Sequence, residues 1–362
     1  MTADIPALAG LLDRHDVAAT AASIARVQEA DGALPWSEGA HTDAWNHVEA
    51  AMGLLLGGQV DAAERAYDWC LATQRDDGSW PLRIVYGVVD DASAETNMTA
   101  YLAVGVWHHW LVRRDEAFVR RCWPAVRRGL DFVVSMQLPF GGIAWSQEAG
   151  GHVNADGLLA GSASIFHALR AGVALSELMD DAQPEWELAA GRLGHALREH
   201  RDLFLDKSTF SMDWYYPVLG GAVRGDAGRR LVDSRWDDFV VPGLGIRCVD
   251  TNPWVTGAET CELVLALDTL GDHERATALL RDMQHLRHDD GSYWTGYVYA
   301  DRVRWPAEQT TYTAAAVILA VDALSLTTPG SDIFRGSSMP TGFPEIGLEC
   351  GCADASSRQR VG

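Results

Sequence analysis

Six times along this 362-residue chain, a helix-forming segment runs into a turn, and a second helical segment leaves that turn with acidic and aromatic residues at its start. The sharpest turn reads Gln74-Arg75-Asp76-Asp77-Gly78-Ser79-Trp80. Looser copies are Gln28…Gly32…Trp36, Gln137…Gly141…Trp145 and Arg287…Gly291…Trp294. A hairpin of two helices cannot bury its apolar face alone, so consecutive hairpins must stack. Six can close on themselves, one helix of each pair inside the ring and one outside. The expected architecture is all-α, an (α/α)6 toroid of six helical hairpins and twelve helices, forming one domain over residues 1–326. Residues 327–362 should follow as a mostly irregular tail without helices, open to partial disorder, because the helical pattern dissolves there into PGSDIFRGSSMPTGFP and a Ser- and Gly-rich end.

The outer helices are expected at roughly 14–29, 61–74, 115–137, 185–204, 226–239 and 272–287. Several open on acidic residues, which the helix dipole favours. The inner helices should begin near Asp43, Glu95, Asp156, Asp213, Thr256 and Glu308. Stretches such as AAMGLLLGG and YTAAAVILAVDAL are apolar or small on every side, as a helix buried in an inner ring must be. Pro217 marks the fourth inner helix as the least regular. Strand signals are sparse, and a short hairpin is expected only within 293–304.

A net charge of −21 argues against nucleic acid or an anionic membrane surface as the main partner. No apolar run reaches 18 residues, so no membrane-spanning helix is expected. The start, MTADIPALAGLLDRHD, lacks the basic region and apolar stretch of a secretory signal, which suggests a cytoplasmic location. The six cysteines include Cys350-Gly351-Cys352 but no pair of CxxC motifs, so neither a structural zinc nor any other metal or cofactor is expected. The expected partner is a small-molecule substrate.

The turn has a physical logic. Gly78 permits a backbone conformation other residues resist, Gln74 can bond backbone groups at the end of its helix, and Trp80 can staple one hairpin to the next. Gln74–Trp80 fits the QxxxGxW repeat in full, and in this the chain resembles the α/α toroids of terpenoid cyclases and protein prenyltransferases over roughly residues 14–325. The resemblance implies chemistry at the start of an inner helix, where class II cyclases carry DxDDTA. The best-aligned stretch is Glu95-Thr96-Asn97-Met98-Thr99-Ala100, in which Thr99 and Ala100 match. DxDD itself is absent, and so is the magnesium-binding DDxxD.

The inner-helix starts gather carboxylates beside indoles. Glu95, by its place in the cyclase-like segment, is the candidate acid. Asp43, Glu259 and Glu308 are candidate bases or polar anchors. Trp45, His47, Asn97, Asp213, Trp214, Tyr215, Trp254, Trp305 and Tyr312 are candidate substrate contacts. Taken singly, each acidic residue also reads as a helix cap, His41 and His47 as hydrogen-bonded wall residues, and Trp36, Trp80 and Trp145 as staples. As a set, four tryptophans within five residues of a carboxylate exceed what capping requires. Facing carboxyls in a desolvated cavity have their pKa values pushed apart into an acid and a base. Three functions remain open on these residues. The favoured one is acid/base chemistry on an isoprenoid-like hydrophobic substrate, which the resemblance implies. The rival is a carbohydrate-active hydrolase, lyase or epimerase using two of the same carboxylates, with aromatic rings as sugar platforms. The third is a binding protein on the same scaffold.

Overall fold

The computed structural model describes residues 4–345. The first helical pair is α1 (Arg14–Arg26) and α2 (Ala44–Leu56). The second is α3 (Val60–Thr73) with an interrupted partner, α4 (Thr96–Ala100) and α5 (Leu102–Arg113). Then come α6 (Glu116–Ser135) with α7 (Leu159–Leu178), and α8 (Pro184–Glu199) with α9 (Ser211–Leu219). The last two pairs are α10 (Gly225–Asp233), extended by α11 (Trp236–Phe239), with α12 (Gly257–Thr269), and α13 (His273–Asp282) with α14 (Thr311–Ser325). The second helix of each pair packs on the next such helix in the order α2, α5, α7, α9, α12, α14, and α14 returns to α2. The chain is therefore an (α/α)6 toroid. Burial follows the same division: all 13 residues of α2 are buried, whereas α6 buries a single stripe. The fourth inner helix, α9, holds Pro217 and has only 9 residues.

The repeated turn explains how the outer ring is fastened. Gln74 Nε2 donates to Gly78 O within its own turn and to Ala125 O on the next outer helix, both at 2.9 Å. Gly78 has φ +92°, and a Cβ there would sit 2.2 Å from the Arg128 carbonyl oxygen. Gln28 makes the same pair of bonds to Gly32 O and Ala62 O, and Gln137 to Gly141 O and Ala189 O. Each turn thus clamps the outer helix that follows it. The last copy closes the ring: Arg287, in place of Gln, reaches Asp16 of α1 at 2.7 Å, and Gly291 lies against Ala19. Only Trp80 acts as a staple, buried with its indole N–H on Cys70 O at 3.0 Å. Trp36 and Trp145, two residues later in their turns, instead face the mouth where the inner helices begin.

Long segments joining each outer helix to the next inner one all lie at that mouth. They carry more β-structure than the single expected hairpin. A hairpin pairs β1 (Arg83–Val85) with β2 (Val88–Asp91). The short ladder of β3 (Ala94–Glu95) with β4 (Ser146–Gln147) joins two neighbouring segments. An antiparallel sheet then runs in the order β5 (Val240–Val241), β6 (Gly245–Arg247), β7 (Trp254–Thr256), β8 (Gly296–Val298) and β9 (Val303–Arg304). Strands of two to four residues are too short for alternation to show in the sequence.

At the opposite end, residues 327–345 form a 3-10 turn, Pro329–Asp332, and then an irregular strap. Ile333, Phe334 and Met339 are buried, and Arg335 pairs with Asp268 at 2.7 Å. Cys350 and Cys352 lie outside the described residues. No helix among the described residues is long and apolar enough to cross a membrane.

Candidate active site

Two inner-helix starts place a carboxylate side by side. Asp43 is the N-cap of α2. Its Oδ1 accepts from the Trp45 and Asn46 amides at 3.1 and 2.9 Å, and its Oδ2 from Asn46 Nδ2 at 2.5 Å. His41 Nε2 stands 3.6 Å from Oδ2. Glu95 ends β3 and leads into α4. The ladder with β4 and the bonds of Thr96 to Ala144 O and Trp145 O hold its backbone. Glu95 is 9% exposed. Burial, helped by the nearby charge of Asp43, pushes its pKa up to about 8. Glu95 therefore holds its proton at neutral pH.

Glu95 lines a cavity of about 500 Å³. Trp45, Trp145 and Tyr216 supply aromatic walls, Leu82, Met98, Leu158 and Met212 apolar ones, and Asn97 a polar one whose Oδ1 is buried and without a protein partner. Trp45 packs on Tyr101 and Tyr312, with ring centroids 4.9 and 5.1 Å apart.

Trp45 and Tyr216 also border a second void deeper along the axis, of about 10 Å³, which is room for roughly one water. Facing it are Glu49 of α2 and Glu262 of α12, with Tyr101, His167 and Phe334. Glu262 accepts phenol hydroxyls from Tyr216 and Tyr312, each at 2.5 Å, and from Tyr215. Glu49 accepts from Tyr101 Oη at 2.6 Å, and its Oε1 is buried without a protein partner. Burial raises both carboxyl pKa values, and the charge of Glu49 raises that of Glu262 further. Two such neighbours cannot both ionise readily. Three phenol donors offset part of that rise at Glu262.

The other sequence candidates disperse. Glu259, on the first turn of α12, faces the Cys248 thiol. Glu308 accepts from Trp36 Nε1 at 2.7 Å and Thr295 Oγ1 at 3.3 Å, and borders a separate cavity of about 330 Å³ where the first and last hairpins meet. Asp213 caps α7 by accepting from the Ala160 amide at 3.1 Å; burial lifts its pKa to about 6, and it faces yet another cavity, with Lys207 and Arg235. Trp214 turns outward, its indole N–H on the Leu231 and Val232 carbonyls. His47 stays clear of the cavities. Its Nδ1 accepts from the Leu34 amide and its Nε2 donates to Ala66 O, and burial lowers its pKa to about 4. Tyr215 and Tyr312 end on Glu262, below the large cavity. Trp254 and Trp305 meet edge to face at the rim, with ring centroids 5.1 Å apart. Of the four candidate catalytic carboxylates, only Glu95 borders the large cavity.

Sequence reasoning passed over Glu262 and Tyr101, and gave no role to Glu49 and Tyr216, which stand among the polar groups at the inner-helix starts. A signal was present: Glu262 interrupts the apolar run CELVLALDTL, and Glu49 sits within a helix buried on all sides. A carboxyl is placed there only with partners. Among the described residues, no group of three or more His, Cys, Asp or Glu is positioned to hold a metal.

No family model matches the sequence. The chain is 56% identical over 349 residues to the MMP endo-(1,4)-3-O-methyl-alpha-D-mannosidase of Mycolicibacterium hassiacum, an alignment covering 96% of this chain and 97% of that one. Among solved structures, a wild-type glycosidase superposes with TM-score 0.68 at 15% identity, covering 87% of this chain and 97% of its own. A D-mannose isomerase gives 0.63 at 9% identity, covering 85% and 96%. These matches overturn the resemblance to terpenoid cyclases and protein prenyltransferases, and with it the isoprenoid-like substrate and cyclase-type isomerase or lyase chemistry. The Gln–Gly–Trp turn had suggested that kinship, yet here its bonds fasten outer helices to one another. Any toroid built of helical hairpins needs such fastening, whatever it catalyses.

Proposed function

The chain belongs to the family of the MMP endo-(1,4)-3-O-methyl-alpha-D-mannosidase and is a glycosidase; from that premise we propose that it hydrolyses internal α-(1,4) bonds in a chain of 3-O-methylated mannose units. The observation that carries the reading is Glu95, a buried carboxyl that keeps its proton to about pH 8 in the wall of a 500 Å³ aromatic cavity. The wall chemistry suits the substrate. Trp45 and Tyr216 offer faces for a sugar ring, and Met98, Met212 and Leu158 offer an apolar surface that a methyl ether tolerates and a free hydroxyl does not.

Glu95 is the general acid. Its proton passes to the glycosidic oxygen as the bond from C1 to that oxygen breaks. Glu262 is the general base. It takes a proton from a water in the small void as that water's oxygen bonds to C1 from the face opposite Glu95, which inverts the anomeric configuration. The phenols of Tyr215, Tyr216 and Tyr312 hold the Glu262 carboxylate in place. Asp43 is a positioning residue: it caps α2, and it adds to the burial that keeps the proton on Glu95.

The test is digestion of a 3-O-methylated α-(1,4)-mannan oligosaccharide, with products sized by mass spectrometry and their anomeric form read by proton NMR. Internal cleavage releasing the β-anomer is expected. Glu95→Gln and Glu262→Gln should each lower kcat by about 10²–10⁴-fold. Full activity in Glu95→Gln would remove it as the acid.

A further inference from the structure

Among the described residues, every well-exposed large apolar side chain except Leu326 lies in a segment joining an outer helix to the next inner one. They sit on the face that opens into the cavity. A typical surface scatters such residues singly, and their concentration on one face marks an interaction surface. Two groups stand apart at this mouth, one in the segment before α4 and the other in the segments before α12 and α14. One is the β1–β2 hairpin, where Tyr86 and Val88 are each 69% exposed and Val89 49%. The other is the five-stranded sheet, where Trp305 is 54% exposed and meets Trp254.

Both groups are held stiffly. Tyr86 is at the hairpin tip with φ +48°, followed by Gly87 at +73°. A bulky residue in the left-handed region costs energy, and such strain gathers where a side chain must be presented. Trp254 lies flat over Gly296, where a Cβ would meet its Nε1 at 2.5 Å, and its indole N–H donates to Trp305 O at 2.8 Å. The hairpin also rises from the cavity edge itself: Leu82 and Ser93, which pair through the Leu82 amide and the Ser93 carbonyl at its base, both line the cavity.

Resting on the reading above, we infer that these two lips bind the O-methylated sugar chain beyond the cavity, one on each side of the cleaved bond. An internal bond has sugar units on both flanks. The flanking units must leave the cavity across the rim, and there they meet these exposed rings and valines, beside the ion pair of Arg83 and Asp90 on the hairpin. Methyl ethers on the chain supply the apolar complement, and the flat ring faces supply stacking. The lips would therefore set the preference for long, methylated chains, while Glu95 and Glu262 set the chemistry.

The experiment compares wild type with Trp305→Ala and with the double variant Tyr86→Ser/Val88→Ser. The substrates are one long and one short 3-O-methylated (1,4)-mannan oligosaccharide and an unmethylated chain of the longer length. Binding of the long chain to the same lip variants in a Glu95→Gln background, by calorimetry, is measured alongside. We expect the ratio of kcat/KM for long over short methylated chains to fall about tenfold in each variant, through KM, and the long-chain Kd to weaken in parallel. The wild-type preference for the methylated over the unmethylated chain should also shrink. An unchanged ratio with normal cleavage overturns the lips and leaves the mannosidase reading standing. Wild type that neither binds nor cleaves any of the three overturns both. A variant that alters only self-association, seen by sedimentation, with an unchanged ratio assigns the lips to a second copy of the chain and overturns the proposal.

Discussion

Glu95 illustrates how one side chain serves function at a cost in stability. Its carboxyl stays protonated in the fold up to about pH 8, against an ordinary value of 4.5, chiefly because it is buried. Two consequences follow, in adjoining pH windows. Activity needs the proton, so kcat/KM should fall as pH rises through about 8, and the alkaline limb should vanish in variants that no longer depend on this acid. Stability is unaffected below about pH 4.5, where folded and unfolded chains both hold the proton. It then declines by about 1.4 kcal/mol per pH unit until the folded carboxyl itself ionises. Glu95→Gln removes that decline. Its melting temperature should match wild type near pH 4.5 and exceed it increasingly toward pH 8, as inactive but stabler protein. Thermal unfolding across that range checks this, and an equal difference at every pH would refute it. Glu95 was singled out in the sequence by its place in the cyclase-like segment, a resemblance the relatives overturn; its place in the cavity wall comes from the fold instead. Glu262 was harder to see, since its partners Tyr215, Tyr216 and Tyr312 come from two other helices and only the closed ring brings them together. His47 shows the reverse: offered as a substrate contact, it has both ring nitrogens on backbone groups, the arrangement of a hydrogen-bonded wall residue.

At the level of the element, the turn after four of the six outer helices, α1, α3, α6 and α13, fastens each to the outer helix that follows. Gln74 satisfies two carbonyls at once, and Gly78 lets the chain come within contact of α6. Gln74→Ala leaves both carbonyls short of a donor and should cost about 1–3 kcal/mol. Gly78→Ala should cost at least as much, because the methyl has no room beside the Arg128 carbonyl and φ is positive. Denaturant midpoints of the two variants measure this. If both unfold with wild type, the turn is not a clamp. This is also why the toroid was legible: the clamp needs Gln, Gly and a helix at set spacings, and those recur in the chain. The mouth sheet was not, because β5 through β9 have two or three residues each and their pairing depends on where the ring places them. The same turns misled on kinship, since a fastening motif reports how hairpins are joined and says nothing about what the cavity does.

Over the whole molecule, the ring has two ends with different tasks. One is open and carries the cavity and the exposed aromatics. The other is closed by residues 327–345, and the closure reaches the chemistry, because Phe334 floors the small void and stacks on His167 with ring centroids 5.2 Å apart. The strap also satisfies two arginines buried in the toroid. Arg170 donates to Gly336 O and Pro340 O, and Arg224 to Phe334 O. Ending the chain at Leu326 strips those partners, at about 1.5–3 kcal/mol for each bond to a charged group, and exposes the pockets of Ile333, Phe334 and Met339. The sum rivals the whole margin of a folded domain, so the shortened chain should fail to fold or should aggregate. Phe334→Ala is the finer probe. It enlarges the void from below, at about 3–5 kcal/mol in stability, and frees the water that Glu262 is proposed to activate from its single position. A loss of kcat of at least tenfold, with KM little changed, is expected at temperatures well under the variant's melting point. Unchanged kcat in a folded Phe334→Ala protein would mean that the closed end supports the ring without shaping the reaction.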